Sequence, residues 1–345
     1  MSGAPQQGGR PAGRQPQDMP RFDAYIFDLD GTLYLDERPL PGAPETVARL
    51  RADGARVAFV TNNPLSTPAT YAQRLTAIGI PASAAEVTTS VDALVDYLAA
   101  HHPRRAVLAV AEHVVIDSLR AAGHVVTTEP AEADVVVVSF DRSFDYAKLH
   151  AAYRAVREHG AVIVATNPDP FCPTPDGGLP DCAAMLAALE ACTQTRAETV
   201  LGKPGEHMAA ELLGRLAVPA HEVAIVGDRL STDVAMSRAL GMTSVLVLSG
   251  ATGAEDIRDS PHRPDFVIEG IADLLPDAPA SDPTEGARSD RVRVHADPPR
   301  PDRPGPDRRL RAGSALGPAL RRVQGHRSAG HPAERDLRRR ARRRA

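Results

Sequence analysis

Asp28-Leu29-Asp30-Gly31-Thr32 decides how this chain is read. It follows an apolar run, Ala24 to Phe27, that reads as a buried strand, so both carboxylates lie just past a strand's carboxyl end. Open α/β sheets bind their ligands at that edge. Two acids at i and i+2, followed by a glycine that turns the chain sharply, suit a carboxylate nucleophile with an acid/base partner beside it. Asp and Gly are also common turn residues, so the pentapeptide alone leaves an ordinary strand-to-turn junction open.

The flanking sequence alternates strands and helices. After the turn at Pro39–Gly42 a helical stretch runs to about Asp53, and Val57-Ala58-Phe59-Val60 reads as a second buried strand that ends in Thr61-Asn62-Asn63-Pro64. Ser66 or Thr67 is placed to cap the next helix, which runs to Gly79. The pattern then gives strands over 106–110, 135–139 and 162–165, with helices over 112–122, 145–159 and 180–191. A third portion resumes with Val200-Leu201, a helix near 206–216, a strand over 223–226, a helix over 231–240, and strands over 245–248 and 266–268. Such alternation predicts an α/β fold with a parallel sheet.

Four separated signals occupy one kind of position, the carboxyl end of an expected strand. They are Asp28/Asp30, Thr61-Asn62-Asn63, Lys203 within Gly202-Lys203-Pro204, and Gly227-Asp228-Arg229-Leu230-Ser231-Thr232-Asp233. A parallel sheet lines those ends along one edge, which would gather Asp28, Asp30, Asp228 and Asp233 in one cleft. Four carboxylates at short range repel unless a cation joins them, and a hard divalent ion with oxygen ligands, Mg2+ above all, fits. Thr61, Asn62 and the backbone NH groups that follow offer donors to a phosphate. Lys203 adds a compact fixed charge, and it is one of two lysines among 40 basic residues. Each signal has a plainer reading beside it: a helix N-cap for Asp228, a turn for Thr61-Asn62-Asn63, a solvated side chain for Lys203.

Together, and in this order, the four stretches resemble the haloacid dehalogenase superfamily over roughly residues 22–276. The resemblance implies a Rossmann-like core, with Asp28 as the nucleophile that becomes an aspartyl phosphate. Asp30 would protonate the leaving alkoxide and then activate water, and Thr61, Asn62 and Lys203 would hold the phosphoryl group. Mg2+ would bind Asp28, the Asp30 carbonyl and Asp228, with Asp233 supporting the metal shell. Only 29 residues separate Gly31 from Thr61, whereas 138 separate Asn63 from Gly202. That layout resembles the nitrophenylphosphatase-like group, which carries a large α/β cap after the second motif. The expected organisation is an N-terminal extension (1–20), a discontinuous core (21–80 and 196–276), a cap (81–195) and a tail (277–345). Asn63, Asn167, Asp169 and the stretch 171–179 are candidate substrate contacts. The implied activity is Mg-dependent hydrolysis of small phosphate monoesters: sugar phosphates, nucleoside monophosphates, phosphoglycolate or similar. Loss of Lys203 is expected to harm activity more than stability.

Charge and composition bound the alternatives. All 13 Phe and Tyr residues lie at or before Phe266. Residues 281–345 carry 18 Arg against 8 Asp and Glu, a net of +10, which leaves −14 of the overall −4 for residues 1–280. An acidic body argues against nucleic-acid binding and suits a cation-loaded cleft. The Arg/Pro/Gly/Ala-rich tail is expected to be disordered, as is the Gly/Pro/Gln-rich start, and has the composition of a frameshift product of a GC-rich gene. Two rivals remain: a phosphatase whose basic tail binds nucleic acid, and a phospho-ligand-binding regulator on the same fold. Cys172, Cys182 and Cys192 include no close pair, so reduced thiols and a cytoplasmic setting are expected. No apolar run reaches about 18 residues, which speaks against a membrane span. Histidines show no metal spacing, and a homodimer is an expectation from similar proteins.

Overall fold

Ala24–Asp28 is the strand around which the chain is built. The computed structural model describes residues 19–36, 38–174 and 177–275. Nearly all of the expected N-terminal extension, and all of the expected tail, lie outside the described residues. Ala24–Asp28 is buried along its whole length and pairs in parallel with Arg56–Thr61 on one side and Val223–Gly227 on the other. Thr243–Val247, Phe266–Ile268 and Val87–Thr89 complete a six-stranded sheet in the order Phe266–Ile268, Thr243–Val247, Val223–Gly227, Ala24–Asp28, Arg56–Thr61, Val87–Thr89.

Strand alternation divides the interior into two cores. Tyr25, Phe27, Phe59, Ala224 and Val226 point to one face and pack with Val47 and Leu50 of helix Ala43–Ala52 and Tyr71 and Leu75 of helix Pro68–Ala77. Ala24, Ile26, Ala58, Val60, Val223 and Ile225 point to the other, against Leu94 and Leu98 of helix Ser90–His101 and Met208 and Leu212 of helix Glu206–Leu216. Strands covered on both faces read as continuous apolar runs, which is why these segments were visible in the sequence. The helix starts are capped as their residues suggest. Thr67 accepts from Thr70 N ahead of Pro68, and Thr89 and Asp92 form a reciprocal capping box.

The insertion forms a second parallel sheet, ordered Thr199–Val200, Val162–Ala165, Val135–Val138, Ala106–Val110, Val125–Thr127. Its two faces again alternate. Val107, Val135, Val137 and Val164 join the apolar cluster that helix Ser90–His101 shares with the core, while Leu108, Val136, Val138 and Ile163 pack on helices Tyr146–His159 and Cys182–Thr193. The expected α/β architecture, a parallel core sheet with an inserted α/β part, is thus the one observed.

Its limits differ from those read in the sequence. Val87–Thr89, on the cap side of the expected boundary at 80/81, is the edge strand of the core sheet. Thr199–Val200, read as the resumption of the core, pairs with Val162–Ala165 in the second sheet. Both strands are only two or three residues long, too short for periodicity to assign a partner. The helix expected over 231–240 begins as a wide turn, Leu230–Val234, before Ala235–Leu240. The stretch 171–179 is part of an antiparallel hairpin, Phe171–Thr174 with Gly177–Pro180, and not a plain loop.

Candidate active site

The carboxyl edge of the core sheet gathers the expected groups. Asp28 ends its strand and Asp228 follows Gly227 on the adjacent one. Carboxylate oxygens of Asp28, Asp228 and Asp233 lie within 4.8 Å of one another, all three residues buried. Two glycines make this approach feasible. Gly31 has φ 84°, and a Cβ there would stand 2.6 Å from Asp228 Oδ2; a Cβ on Gly227 would collide with the Asp233 carboxyl. Asp228 Oδ2 accepts from Ala251 N (2.6 Å), and Asp233 Oδ2 accepts from Arg229 N (3.2 Å).

Lys203 sits inside this cluster. Its ammonium donates to Asp28 Oδ1 and to Asp233 Oδ1 (2.8 Å), and the residue is 2 % exposed. Its stretch follows Thr199–Val200, a strand of the second sheet, so it reaches the cluster from the point where the chain leaves the insertion. Asn62 holds it there. The Asn62 side chain accepts from Lys203 N (2.7 Å) and donates to Lys203 O (3.0 Å) and to Asp169 Oδ2 (2.9 Å). The amide expected to face a phosphate is therefore committed to positioning the lysine. Thr61 remains directed at the cavity, with Oγ1 accepting from Asn63 N (3.1 Å) and its own hydroxyl proton available.

Asp30 lines the same cavity, and its Oδ2 is buried with no hydrogen-bond partner among the described residues. Burial raises its pKa to about 6, against the lowering effect of Arg74 and Lys203. Burial, with Asp233 nearby, likewise raises Asp228 to about 6, and burial pushes Asp28 well above the ordinary value despite Lys203. For these groups the folded state holds protons that the unfolded chain has released between 3.8 and about 6. Their contribution is thus most favourable at low pH and is lost as pH rises through that window. In chelator, the thermal midpoint is expected to rise as pH falls from about 7 to about 5, and Asp228→Asn should flatten that slope. Midpoints that fall over this range in the wild type would contradict the electrostatics described.

Of the expected substrate contacts, Asp169 lines the cavity, as does Asn63, whose Oδ1 is occupied by Leu65 N (3.1 Å). Asn167 does not reach it: fully buried, it donates to Asn62 O (3.1 Å) and accepts from Asp169 N (2.9 Å), bracing the loop. Phe171, Cys172, Asp181, Arg229 and Thr232 complete the wall; of these, only Phe171 and Cys172 fall in the contact stretch 171–179 expected from the sequence. Arg229 stands between Asp228 and Asp233 in the chain, and no spacing signal marks its side chain as part of the site. The histidines are also more organised than their spacing suggests. His102 Nε2 and Tyr97 OH both reach Glu198 Oε1 (2.7 and 2.6 Å), beside His101 and His207. A larger cavity of about 740 Å³ lies at the strands' amino ends around Arg21, Asp53, Arg56 and Glu222, the edge where open sheets do not place ligands.

The sequence pattern of a family described as haloacid dehalogenase-like hydrolase matches residues 25–125, and a related HAD-hydrolase-like pattern matches 200–274. Both segments carry the clustered carboxylates. The chain belongs to the haloacid dehalogenase-like hydrolases. Sugar-phosphatase AraL of Bacillus subtilis is 33% identical to it over 249 residues, 72% of this chain and 90% of that protein. The crystal structure of a 4-nitrophenylphosphatase from Thermotoga maritima superposes with a TM-score of 0.70 at 32% identity, covering 74% of this chain and 97% of the other. A glycerol phosphate phosphatase from Mycobacterium tuberculosis, solved in complex with magnesium, gives a TM-score of 0.67 at 31% identity, covering 74% and 76%. The family's structural neighbours are of the 4-nitrophenylphosphatase type, the group expected from the motif spacing. No helix among the described residues is long and apolar enough to cross a membrane.

Proposed function

We propose that this member of the family is a Mg-dependent phosphatase that hydrolyses small phosphate monoesters through an aspartyl-phosphate intermediate. The observation that carries the reading is the buried cluster of Asp28, Asp228 and Asp233 around one ammonium, with the unpartnered carboxyl oxygen of Asp30 beside it.

The donor set fits a hard divalent cation. Asp28, Asp228 and Asp233 bring three carboxyls to one place, with Asp30 in the wall of the adjoining cavity, and Lys203 supplies a single positive charge among them. Asp28, Asp228 and the Asp30 carbonyl would hold Mg2+, with Asp233 supporting the shell. When bound, the ion would neutralise charge on the phosphoryl oxygens.

The chain's own groups then divide the work. Asp28 attacks phosphorus as the P–O bond to the leaving group breaks, and its carboxylate becomes a mixed anhydride. Asp30 gives its proton to the departing alkoxide, for which a pKa of about 6 is well placed near neutral pH. The same carboxylate next takes a proton from water, whose oxygen attacks phosphorus and releases inorganic phosphate and free Asp28. Thr61 donates to a phosphoryl oxygen, and Lys203 holds Asp28 in place and balances charge during transfer. The rival regulator reading leaves the buried, protonatable Asp30 without a task.

The leaving-group side favours hydroxyl-bearing substrates. Asp169 and Asp181 present carboxyl oxygens there, while the guanidinium of Arg229 is engaged by Asp169 and Phe171. A sugar or polyol can donate to those oxygens; burial raises Asp181 to about 7, so a carboxylate-bearing substrate meets its like charge increasingly as pH rises through that value. Metal-dependent release of 4-nitrophenol from 4-nitrophenyl phosphate tests the activity, and its absence at any Mg2+ concentration would refute it. Glycerol 3-phosphate is expected to be preferred over 2-phosphoglycolate by about tenfold or more in kcat/KM, equivalent to about 1.4 kcal/mol. Asp181→Asn should narrow that ratio.

A further inference from the structure

Arg229 stands between two of the clustered carboxylates in the chain, yet its side chain leaves them. Its Nη2 donates to the carbonyl of Phe171 (3.2 Å), its guanidinium carbon lies 5.3 Å from the centroid of the Phe171 ring, and Nη1 is 3.8 Å from Asp169 Oδ1. All three contacts are with the insertion, through Phe171 and Asp169, and Phe171 opens the hairpin that walls the cavity. The Arg229 backbone is meanwhile fixed to the carboxylate loop. Its NH donates to Asp233 Oδ2 (3.2 Å), and its carbonyl accepts from Asp233 N and Val234 N (3.1 and 3.2 Å). One residue thus grips the catalytic loop by its main chain and the hairpin by its side chain.

The cavity that the hairpin walls is open to solvent on one side and has a volume of only about 40 Å³. Sites that bury drug-sized ligands run to about 300–1,000 Å³, so the site as it stands is too narrow to bury a phosphate monoester, and outward movement of the hairpin would widen it. Arg229 resists such movement through its contacts with Phe171 and Asp169, beside a weaker one in which Asn63 Nδ2 approaches Cys172 Sγ (3.9 Å). A planar guanidinium can stack on a ring and donate in its own plane at once, which an ammonium cannot do.

We propose that Arg229 is a positioning residue that latches the hairpin Phe171–Thr174 and Gly177–Pro180 over the catalytic carboxylates, its contacts breaking as ligand enters and re-forming as the site closes. The effect on turnover rests on the phosphatase reading, whereas the latch is a property of the folded chain and is measured without turnover.

Cys172, half-buried on the hairpin at the cavity wall, is the reporter. Burial raises its pKa to about 12, with Asp30 and Asp181 adding to the effect, so the half-buried thiol reacts slowly with an aromatic disulfide near neutral pH and faster once the hairpin opens. Cys182 is buried, and the exposed Cys192 is removed by Cys192→Ser, far from the carboxylates, which should leave activity unchanged. In that background Arg229→Ala is expected to speed labelling of Cys172 about tenfold, equivalent to about 1.4 kcal/mol of lost closure. Arg229→Lys should recover only part of the protection. Phe171→Ala should also speed labelling, and the further effect of Arg229→Ala in the F171A background should be clearly smaller, as expected for residues that act through each other.

With 4-nitrophenyl phosphate, kcat/KM should fall in Arg229→Ala and return only in part in Arg229→Lys. Unchanged labelling in Arg229→Ala overturns the latch, whether activity falls or not, because a fall alone would make Arg229 a direct contact of the substrate. Additive labelling effects of the two variants also overturn it. If the wild type releases no nitrophenol but labelling behaves as described, the phosphatase reading falls and the latch stands. Should Arg229→Ala not fold, Arg229→Gln, which keeps much of the stem and one amide donor, gives the same comparison.

Discussion

Asp28→Asn is expected to abolish hydrolysis of 4-nitrophenyl phosphate while leaving the protein folded. The amide is nearly the same size as the carboxyl, so the buried position at the end of the central strand remains filled. It is a far poorer nucleophile and a weaker metal ligand, and its NH2 group cannot accept from Lys203. Removing a nucleophile that works as part of a set has cost on the order of 10⁶ in kcat in a serine protease, and a loss of that order is expected here. Stability should change little. Burial already pushes the Asp28 carboxyl well above its ordinary value, so a neutral group is not unwelcome there, and Lys203 keeps Asp233 as a partner. Rapid acid quenching with radiolabelled substrate separates mechanism from mere damage. Label should be trapped on the wild-type protein and absent from the variant. Near-normal turnover, or equal trapped label in both, would end the covalent mechanism.

The fold and the cluster were legible in the sequence for different reasons. Strands such as Ala24–Asp28 and Val135–Val138 announce themselves because both faces are covered, which leaves unbroken apolar runs. The carboxylates were legible because their type and spacing are chemical requirements, and because a parallel sheet brings strand ends to one edge whatever the loops between them do. What stayed hidden depends on contacts between distant segments. Asn62 was read as a phosphate donor because it adjoins Thr61, but Lys203 and Asp169, 141 and 107 residues away, occupy its side chain. Asn167 was placed across the cleft by its position at a strand end, yet it is turned inward to brace the Asn62 carbonyl. Val87–Thr89 and Thr199–Val200 exchanged allegiance because strands this short carry no pattern of their own. The partnership of Tyr97, His102 and Glu198 joins residues about a hundred positions apart, with no spacing signal to betray it.

Lys203→Ala is expected to unsettle the fold as well as the chemistry, contrary to what its sequence setting implies. The side chain is not poised at a cleft mouth. It is 2 % exposed and lies between Asp28 and Asp233, so its removal leaves two buried carboxylates facing each other beside Asp228. Breaking a buried pair from one side typically costs about 3–5 kcal/mol, which in a chain of this size lowers the thermal midpoint by about 10 °C. Burial opposes the ammonium's charge, but Asp233 and Asp28 outweigh it and hold its pKa above the ordinary 10.5. The stabilisation from a pKa raised in this way is complete below 10.5 and lost only above it, so the wild-type ion pair contributes evenly across neutral pH. The variant behaves otherwise. With no cation beside it, Asp28, which burial already pushes well above its ordinary value, is relieved by protonation, and the deficit in midpoint should shrink between about pH 8 and about pH 5. Lys203→Arg keeps the charge and should recover part of the stability. It should not recover kcat/KM, because a broad guanidinium cannot occupy the ammonium's place between two carboxyl oxygens while Asn62 fixes the backbone. Melting curves in chelator at both pH values, with nitrophenyl phosphate rates for each variant, make the comparison. A Lys203→Ala protein that melts with the wild type at both would mean that the carboxylates find another cation, and the charge balance drawn for this site would have to be rebuilt around it.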